Sequence, residues 1–335
     1  MASRQIGIDL GSSNIMFYLR DHGIILSSPS VIAVDKDRDE VVEIGSAAKK
    51  MLGKTPKNIM VCRPIRDGVV ADLEETTVLL HELFMKAELI SFFNRPDAVV
   101  SIPYGVTEVE KRAVETAVYE AGTRSVVLME EPLAAAVGAE LKVLGAKGTM
   151  IVDIGGGSTE SAVISLGDIA VARSEKIAGD DIDRAIVNYF YNEKRMLIGE
   201  TTAELLKIHI GTAHRMIDRG EKTVYGRSLE NGLAMMLSVG SGEILYAIRP
   251  ALDSIIRQIQ QTLEVTPPEL TSDICDSGIV LTGGGSLLPG LAEYASKMLG
   301  IKVRIAPKPL ESVCVGIGRM IDSEGELGKI LRRRI

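Results

Sequence analysis

The sequence predicts an α/β protein built as a duplicated pair of domains, and three observations predict it. The chain of 335 residues has room for about two domains of ordinary size. Two segments echo each other about half a chain apart, Ile6-Gly-Ile-Asp-Leu-Gly-Ser-Ser-Asn14 and Ile151-Val-Asp-Ile-Gly-Gly-Gly-Ser-Thr159; each is an apolar run ending in Asp-x-Gly and small residues. Around them, strand patterns alternate with amphipathic helix patterns, as in folds that layer helices on a sheet.

After each echoed turn the residues stay apolar, Ile15-Met-Phe-Tyr-Leu19 and Ser161-Ala-Val-Ile-Ser-Leu166. Each segment therefore reads as a β-hairpin and not as a strand entering a helix. Helical periodicity runs over Leu73–Leu89, and a strand over Ala98–Ile102 ends at Pro103. Thr107-Glu-Val-Glu110 is a capping box. It opens a helix with Val109, Ala113, Val114, Ala117 and Val118 on one face and Gly122 as its expected left-handed terminus. Further helical patterns cover Asp181–Lys194, Thr202–Met216, Glu243–Leu263 and Pro289–Leu299, with Pro250 expected to kink or interrupt the Glu243–Leu263 helix. Thr266-Pro-Pro-Glu269 is a breaker. A third glycine-rich segment, Ile279-Val-Leu-Thr-Gly-Gly-Gly-Ser-Leu-Leu-Pro-Gly290, is a strand leading through Gly283–Gly285 into a helix.

Composition excludes several classes. Apolar residues make up 46% and charged residues 25%, as in globular domains, and no stretch has the ~18–20 unbroken apolar residues of a membrane span. The net charge of −7 supplies no basic field for nucleic acid, and with no Trp, 5 Phe and 8 Tyr there is little to stack bases on. Met1–Gln5 runs straight into a strand without an apolar signal region, which reads as cytoplasmic. Cys62, Cys275 and Cys314 are too few and scattered for a disulfide framework or a zinc site, and read as buried thiols.

The loops carry a specific chemistry. A nucleoside triphosphate needs backbone N–H groups for its phosphates and carboxylates for the waters around Mg²⁺. Gly11, Ser12, Ser13 and Asn14 offer the first from one half, and Gly155, Gly156, Gly157, Ser158 and Thr159 from the other. Asp9 and Asp153 stand at the turn mouths, where they can hold hydrated Mg²⁺, and Gly283, Gly284 and Gly285 let adenosine approach bare backbone. One such turn is weak evidence, but the set is strong. Neither G-x-x-x-x-G-K-[ST] nor a helix-opening G-x-G-x-x-G occurs, which disfavours P-loop and Rossmann readings.

With these motifs the sequence resembles the actin, heat-shock chaperone and sugar-kinase superfamily, and within it the bacterial actin-like MreB family. IGIDLGSSN is similar to its first phosphate loop, VDIGGGSTE to its second and LTGGGSLLPGL to its adenosine loop. The resemblance continues through Ser28-Pro-Ser-Val31, Ile44-Gly45, Met51-Leu-Gly-Lys-Thr-Pro56, Arg63-Pro-Ile-Arg-Asp-Gly-Val-Val-Ala-Asp72, Met129-Glu-Glu-Pro-Leu-Ala-Ala-Ala136, Ala178-Gly-Asp180 and Pro267-Pro-Glu-Leu270. It implies an actin-like ATPase fold with ribonuclease H-like halves and the nucleotide in the cleft between them. Residues 1–145 plus 316–335 would form domain I, with a small subdomain over about 33–72. Residues 146–315 would form domain II, with a small subdomain over about 183–245.

Roles follow by position. The resemblance implies ATP and Mg²⁺ as cofactors, Glu131 orienting the attacking water, Asp153 sharing that task, Asp9 supporting Mg²⁺ and Thr159 sensing the terminal phosphate. The residues alone also allow Glu131 to be no more than a helix N-terminal acid, with Glu130 as its control. Glu204, Leu205, Leu206 and Lys207 match the helix that contacts ribose and adenine, although Glu204 and Lys207 alone read as a surface ion pair. Ile15 belongs to the first loop's set, and Ser286 and Leu287 to the adenosine loop's. Departures from the family pattern are Ser12-Ser13, Ile15 and Ser158, of which Ser158 keeps its hydroxyl.

Glu88-Leu-Ile-Ser-Phe-Phe-Asn94 places Leu89, Ile90, Phe92 and Phe93 in a short connection. Such a cluster is ordinarily core, but the resemblance implies a wedge entering the bilayer interface, aided by Lys86 and Arg95. Filaments would multiply this weak anchor by avidity, whereas Arg332–Arg334 read as a solvated tail. The expected function is an ATP-dependent filament, peripheral on the inner face of the plasma membrane, whose partners are its own copies, that membrane and the membrane proteins of cell-wall elongation. The alternatives are a small-molecule kinase of the same fold, a chaperone-type ATPase and a nucleotide-binding scaffold with little hydrolysis.

Overall fold

Both echoed segments fold as the expected hairpins, and each seeds a sheet of the same topology. The computed structural model describes residues 4–91 and 95–334. In the first half, β1 (Gln5–Leu10), β2 (Asn14–Leu19) and β3 (Gly23–Pro29) form an antiparallel meander. A small sheet follows from β4 (Ile32–Asp35), β5 (Glu40–Ile44) and β6 (Ile59–Cys62), with α1 (Gly45–Met51) against it. Then come a two-stranded hairpin of β7 (Ile65–Arg66) and β8 (Val69–Val70), α2 (Leu73–Lys86), β9 (Asp97–Ile102), α3 (Glu108–Glu120), β10 (Ser125–Glu130) and α4 (Glu131–Gly138).

The second half repeats the plan with β11 (Thr149–Ile154), β12 (Thr159–Ser165) and β13 (Asp168–Glu175). α5 (Gly179–Asn192), β14 (Met196–Leu197), α6 (Glu200–Ile210), β15 (Glu221–Ser228) and β16 (Ala234–Gly240) lead into the long α7 (Ser241–Glu264). The chain closes through α8 (Pro268–Ser277), β17 (Ile279–Thr282), a 3₁₀ turn over Gly284–Leu287, α9 (Leu291–Leu299), β18 (Val303–Ile305), α10 (Ser312–Asp322) and α11 (Glu326–Arg332).

Strand order is β3-β2-β1-β9-β10 in one large sheet and β13-β12-β11-β17-β18 in the other. In each, the hairpin and third strand are antiparallel and the last two strands parallel. That correspondence is the duplication predicted from the echo. β1 and β11 are central, so both faces must be apolar, and Ile6, Ile8, Ile151 and Val152 are fully buried.

Three main cores result: one in each half, and a third between the large sheets, where α4 and α10 are sandwiched. These helices cross backbone to backbone, because a Cβ on Gly138 would overlap the Ser312 carbonyl and one on Gly316 the Ala134 carbonyl. α10 also packs on β1 and β2, and Tyr18 Oη donates to Asp322 at 2.6 Å, so the C-terminal helices return to the first half. The expected boundary at 315/316 falls inside α10, a continuous helix, so the crossing belongs before Ser312. The expected limits 183 and 245 likewise fall within α5 and α7.

Several helices differ from their sequence patterns. α7 continues past Pro250 as one helix, so the expected interruption does not occur; the acceptor that proline frees is the carbonyl of Tyr246, a residue 70% exposed. α6 stops at Gly211 and not Met216, with Arg219 Nη1 donating to the Ile208 and Gly211 carbonyls at 3.0 Å. α9 starts at Leu291, because Pro289 is held outside it, accepting from Ala213 N at 2.8 Å. The Thr107 capping box forms, but Val109 is exposed, and Gly122 takes φ +129°, outside the left-handed helical region. Of the cysteines only Cys314 is buried; Cys275 is exposed.

α2 ends at Lys86, where Ala87 N–H returns to the Leu83 carbonyl, and Glu88 turns the chain at φ +54°. Leu89 is thereby driven into the first core at 1% exposure, and Ile90 packs half-buried against Gly122. The expectation that Leu89 inserts into a membrane is overturned, since its side chain is already spent on the core. Phe92 and Phe93 lie outside the described residues. Arg334 is no free tail, as it pairs with Glu130 at 2.8 Å and Asp168 at 3.4 Å.

Candidate functional site

The two hairpin turns face each other across a cleft of about 460 Å³ between the halves. The local sequence explains why they can approach. Gly155 N donates to Ser158 O at 2.9 Å, closing the second turn around residues that carry little side chain. A Cβ on Gly156 would overlap Ser13 Oγ, and one on Gly157 would come within 2.7 Å of Asp67 N and 2.9 Å of Ser12 Oγ. The Asp67-Gly68 turn of the β7–β8 hairpin, with φ of +51° and +78°, thus fills the gap between the loops. It is fixed by Gly68 N donating to Ser12 Oγ at 2.8 Å.

On the first loop, Ser30 Oγ donates to Gly11 O at 2.6 Å and Ser30 N to Ser13 O at 3.0 Å. On the second, Asp180 N donates to Gly156 O at 2.8 Å and Gly179 N to Gly155 O at 3.1 Å, docking the start of α5 beneath the turn. Gly283, at φ +77°, packs against Asp153 and Ile154 O so closely that no side chain fits there.

Of the candidate residues, Asp9, Gly11, Ser12, Ser13, Asn14, Glu131, Asp153, Gly155, Gly156, Gly157, Ser158, Glu204, Lys207, Gly283, Gly284, Gly285 and Leu287 line the cleft. Five do not, for identifiable reasons. Ile15 is buried on β2 with its side chain in the first core, and Leu206 is buried in the second. Leu205 is half exposed on another face of α6. Ser286 is buried, donating to Gly283 O at 2.7 Å. Thr159 is fully buried, its hydroxyl donating to Ile177 O at 2.6 Å, so the hydroxyl at the cleft wall is that of Ser158.

Three carboxyl groups, Asp9, Glu131 and Asp153, line the cleft floor, and a fourth, Glu160, is buried beside them. Asp153 and Glu160 are cross-strand partners and share a face of the sheet. Burial pushes Asp9 up to about 7, with Asp153 adding repulsion and a Ser101 hydrogen bond opposing it. Burial likewise raises Asp153 to about 7. Glu160 rises to about 8 by burial and then the Asp153 charge, although Tyr104 N donates to it at 2.9 Å. Glu131 is held well above the ordinary carboxylate range by burial, then by Glu160, Asp9 and Asp153. A site that stores so much buried acid is built to receive positive charge.

These residues fit hydrated Mg²⁺ and polyphosphate: acids that a bound cation would ionise into acceptors lie beside walls of bare backbone. Among the described residues no group of three or more His, Cys, Asp and Glu side chains is placed to hold a metal ion.

Sequence reasoning missed part of the lining. Asp180 and Asp183 reach the cleft from α5, and Gly68 from the β7–β8 turn. Asp180 and Gly68 lie in quoted motifs that had been given no role, whereas Asp183 is found only by folding α5 against α6. Lys207 donates to Asp183 at 2.7 Å and Gly179 O at 2.9 Å, tying those helices together. Burial lifts Asp183 to about 6 despite that partner.

Comparisons with known proteins agree with this geometry. A family model described as MreB/Mbl protein matches residues 3–329. The cell shape-determining protein Mbl of Bacillus subtilis is 41% identical over 329 residues, covering 98% of this chain and 99% of that protein. The cell shape-determining protein MreB of Escherichia coli is 43% identical over 333 residues, covering 97% and 96%. The crystal structure of MreB5 of Spiroplasma citri bound to AMPPNP superposes with a TM-score of 0.93 at 33% identity, covering all of both chains. With two sheets of one topology, a glycine-walled cleft between them and sequence likeness along nearly its whole length, the chain belongs to the MreB/Mbl family of actin-like proteins.

Proposed function

We propose that this chain binds Mg²⁺ and ATP in the cleft, hydrolyses the nucleotide, and assembles into filaments that organise cell-wall growth and cell shape. The observation that carries the reading is the meeting of two glycine-rich turns from opposite halves beside Glu131, Asp9 and Asp153. Backbone N–H groups of residues 11–14 and 156–158 bind the phosphates. Asp9 and Asp153 hold the hydrated Mg²⁺, which supplies charge neutralisation at the phosphates. Glu131, fixed at the N-terminus of α4 by Pro132, orients the attacking water.

Gly283–Gly285 and Leu287 receive the adenosine, with Glu204 and Lys207 on the ribose side. The cell-shape role is supported by relatives named as cell shape-determining proteins. We place the filaments on the inner face of the cytoplasmic membrane with cell-wall elongation proteins as partners. The Phe92–Phe93 segment, not Leu89, is the proposed lipid contact. No helix among the described residues is long and apolar enough to cross a membrane.

Phosphate release by Glu131→Ala tests the hydrolysis reading. The rate falls by about 10²–10⁴-fold while ATP affinity holds; an unchanged rate would remove Glu131 from the mechanism. Negative-stain imaging on anionic liposomes with Mg-ATP tests assembly, and ATP-bound monomers that leave the lipid bare would argue against it.

A further inference from the structure

Arg219 belongs to none of the glycine-rich motifs, yet it lines the cleft together with Ile208, Leu288 and Pro289. Its place follows from how the chain leaves α6. The last carbonyls of a helix lack partners within it, and Arg219 Nη1 donates to the Ile208 and Gly211 carbonyls at 3.0 Å. Its backbone is pinned as well, with Arg219 N donating to Ser241 Oγ at 2.9 Å. Ala213 N donates to Pro289 O at 2.8 Å and ties the same connection to the glycine-rich segment after β17. Arg219 therefore stands where the end of α6 meets the Gly283–Pro289 segment, the end of the cleft assigned above to adenosine.

A guanidinium carries five N–H donors in one plane. Both donors of Nη1 are used on the end of α6. Among the described residues Nε and Nη2 meet no hydrogen-bond partner, and no carboxylate pairs with Arg219. Lys207, the other cation lining the cleft, is by contrast already held by Asp183 at 2.7 Å and Gly179 O at 2.9 Å. Along α6, Glu204, Lys207 and Ile208 are spaced to share one face toward the cleft. With Glu204 and Lys207 on the ribose side, the group that Ile208 and Arg219 meet is the base.

We propose that Arg219 is a base-contacting residue, its planar guanidinium, held by the end of α6, meeting the base of the nucleotide beside the apolar wall of Ile208, Leu288 and Pro289. The proposal rests on the nucleotide-binding reading above and names a residue that sets base affinity. A planar cation suits an aromatic heterocycle in two ways, by attraction to the face of the ring and by N–H donation to ring nitrogens. Capping α6 takes one nitrogen of the guanidinium and leaves the other two for the ligand.

The test is calorimetric titration of the full chain with a non-hydrolysable Mg-ATP analogue, and displacement of that analogue by Mg-tripolyphosphate, which has the phosphates and no base. Thermal melts report folding. Arg219→Ala is expected to weaken the analogue about fivefold or more and to leave tripolyphosphate within about twofold. Arg219→Lys, which keeps the charge and loses the plane, is expected to recover only part of the loss. If Arg219→Ala does not fold, Arg219→Gln keeps a donor for the α6 carbonyls, and the same split between the two ligands is expected of it. Analogue affinity equal to that of the unaltered chain overturns the inference alone. So does an equal loss for both ligands, which marks a charge acting on the phosphates or a disturbed fold, and so does full recovery by Arg219→Lys, which makes the plane unnecessary. An unaltered chain that binds no analogue overturns the nucleotide reading and this inference with it.

Discussion

Lys49 Nζ lies 2.8 Å from Glu204 Oε1, and this ion pair spans the cleft from α1 of the first half to α6 of the second. Arg63 and Asp180 make a second span at 3.3 Å. Both pairs are partly exposed, so each contributes only about 0–1 kcal/mol. Their place at the cleft matters more than their strength, because opening the cleft must break both.

Nucleotide release is therefore expected to quicken when these pairs are removed. Lys49→Ala and Arg63→Ala should each raise the dissociation rate of a fluorescent nucleotide by up to about fivefold, the factor that ~1 kcal/mol represents. In stopped-flow measurements high salt should speed release from the unaltered chain and not from the double variant. Equal rates in both proteins would mean that the pairs do not restrain opening.

Stability is expected to depend on pH in the sense opposite to that of ordinary paired carboxylates. Asp9 and Asp153 titrate at about 7 and Glu160 at about 8 in the folded chain, against about 4 unfolded. Between those values the folded chain binds more protons than the unfolded one. The stabilisation is thus complete below the unfolded values and is lost as pH rises through about 7 to 8. Melting of the metal- and nucleotide-free protein should move to lower temperature from about pH 6 to about pH 8.5. Mg²⁺ with nucleotide should flatten that slope, because a bound cation favours the ionised acids. A melting temperature that climbs over this interval would contradict the buried-acid account.

Gly157→Ala tests the meeting of the loops. The added methyl would come within 2.8 Å of Asp67 Cα, a backbone atom that cannot swing aside. ATP affinity should drop as the turns are pushed apart, and the nucleotide-free chain should melt at lower temperature, since the ~1–3 kcal/mol typical of overpacking falls on the free chain too. Calorimetric titration reads the first quantity, and full affinity would show that the turns separate when nucleotide binds.

Leu89→Ser should behave as a core mutation. Loss of a fully buried leucine costs about 2–5 kcal/mol, visible as a lower denaturant midpoint without any lipid present. A midpoint unchanged from that of the unaltered chain would mean that Leu89 is not held in the first core.

The duplication was legible because Asp-x-Gly hairpins repeat as a local pattern, and local patterns survive in one dimension. The capping box at Thr107 was legible for the same reason. Pro250 was read as a kink or a break, and packing of the apolar face of α7 keeps the helix from breaking there. Thr159 and Ser158 are adjacent hydroxyls, but Ser158 is in the turn and Thr159 opens β12, where its hydroxyl donates to the Ile177 carbonyl; only the folded chain shows which one meets the cleft. Leu89 looked like a loop hydrophobe, but the turn at Glu88 aims it inward.

By itself the sequence determined the two glycine-rich turns, their aspartates, the strand-and-helix alternation and the family likeness, since each is written in contiguous residues. Only the tertiary structure decided that Asp9, Glu131 and Asp153 share one buried floor with Glu160 beside it, and that Lys49 and Arg63 reach across to Glu204 and Asp180. Those relations join residues far apart in the chain. They exist only where packing of the two sheets around α4 and α10 fixes the distances, and it is burial there that turns ordinary carboxylates into a site held near neutrality.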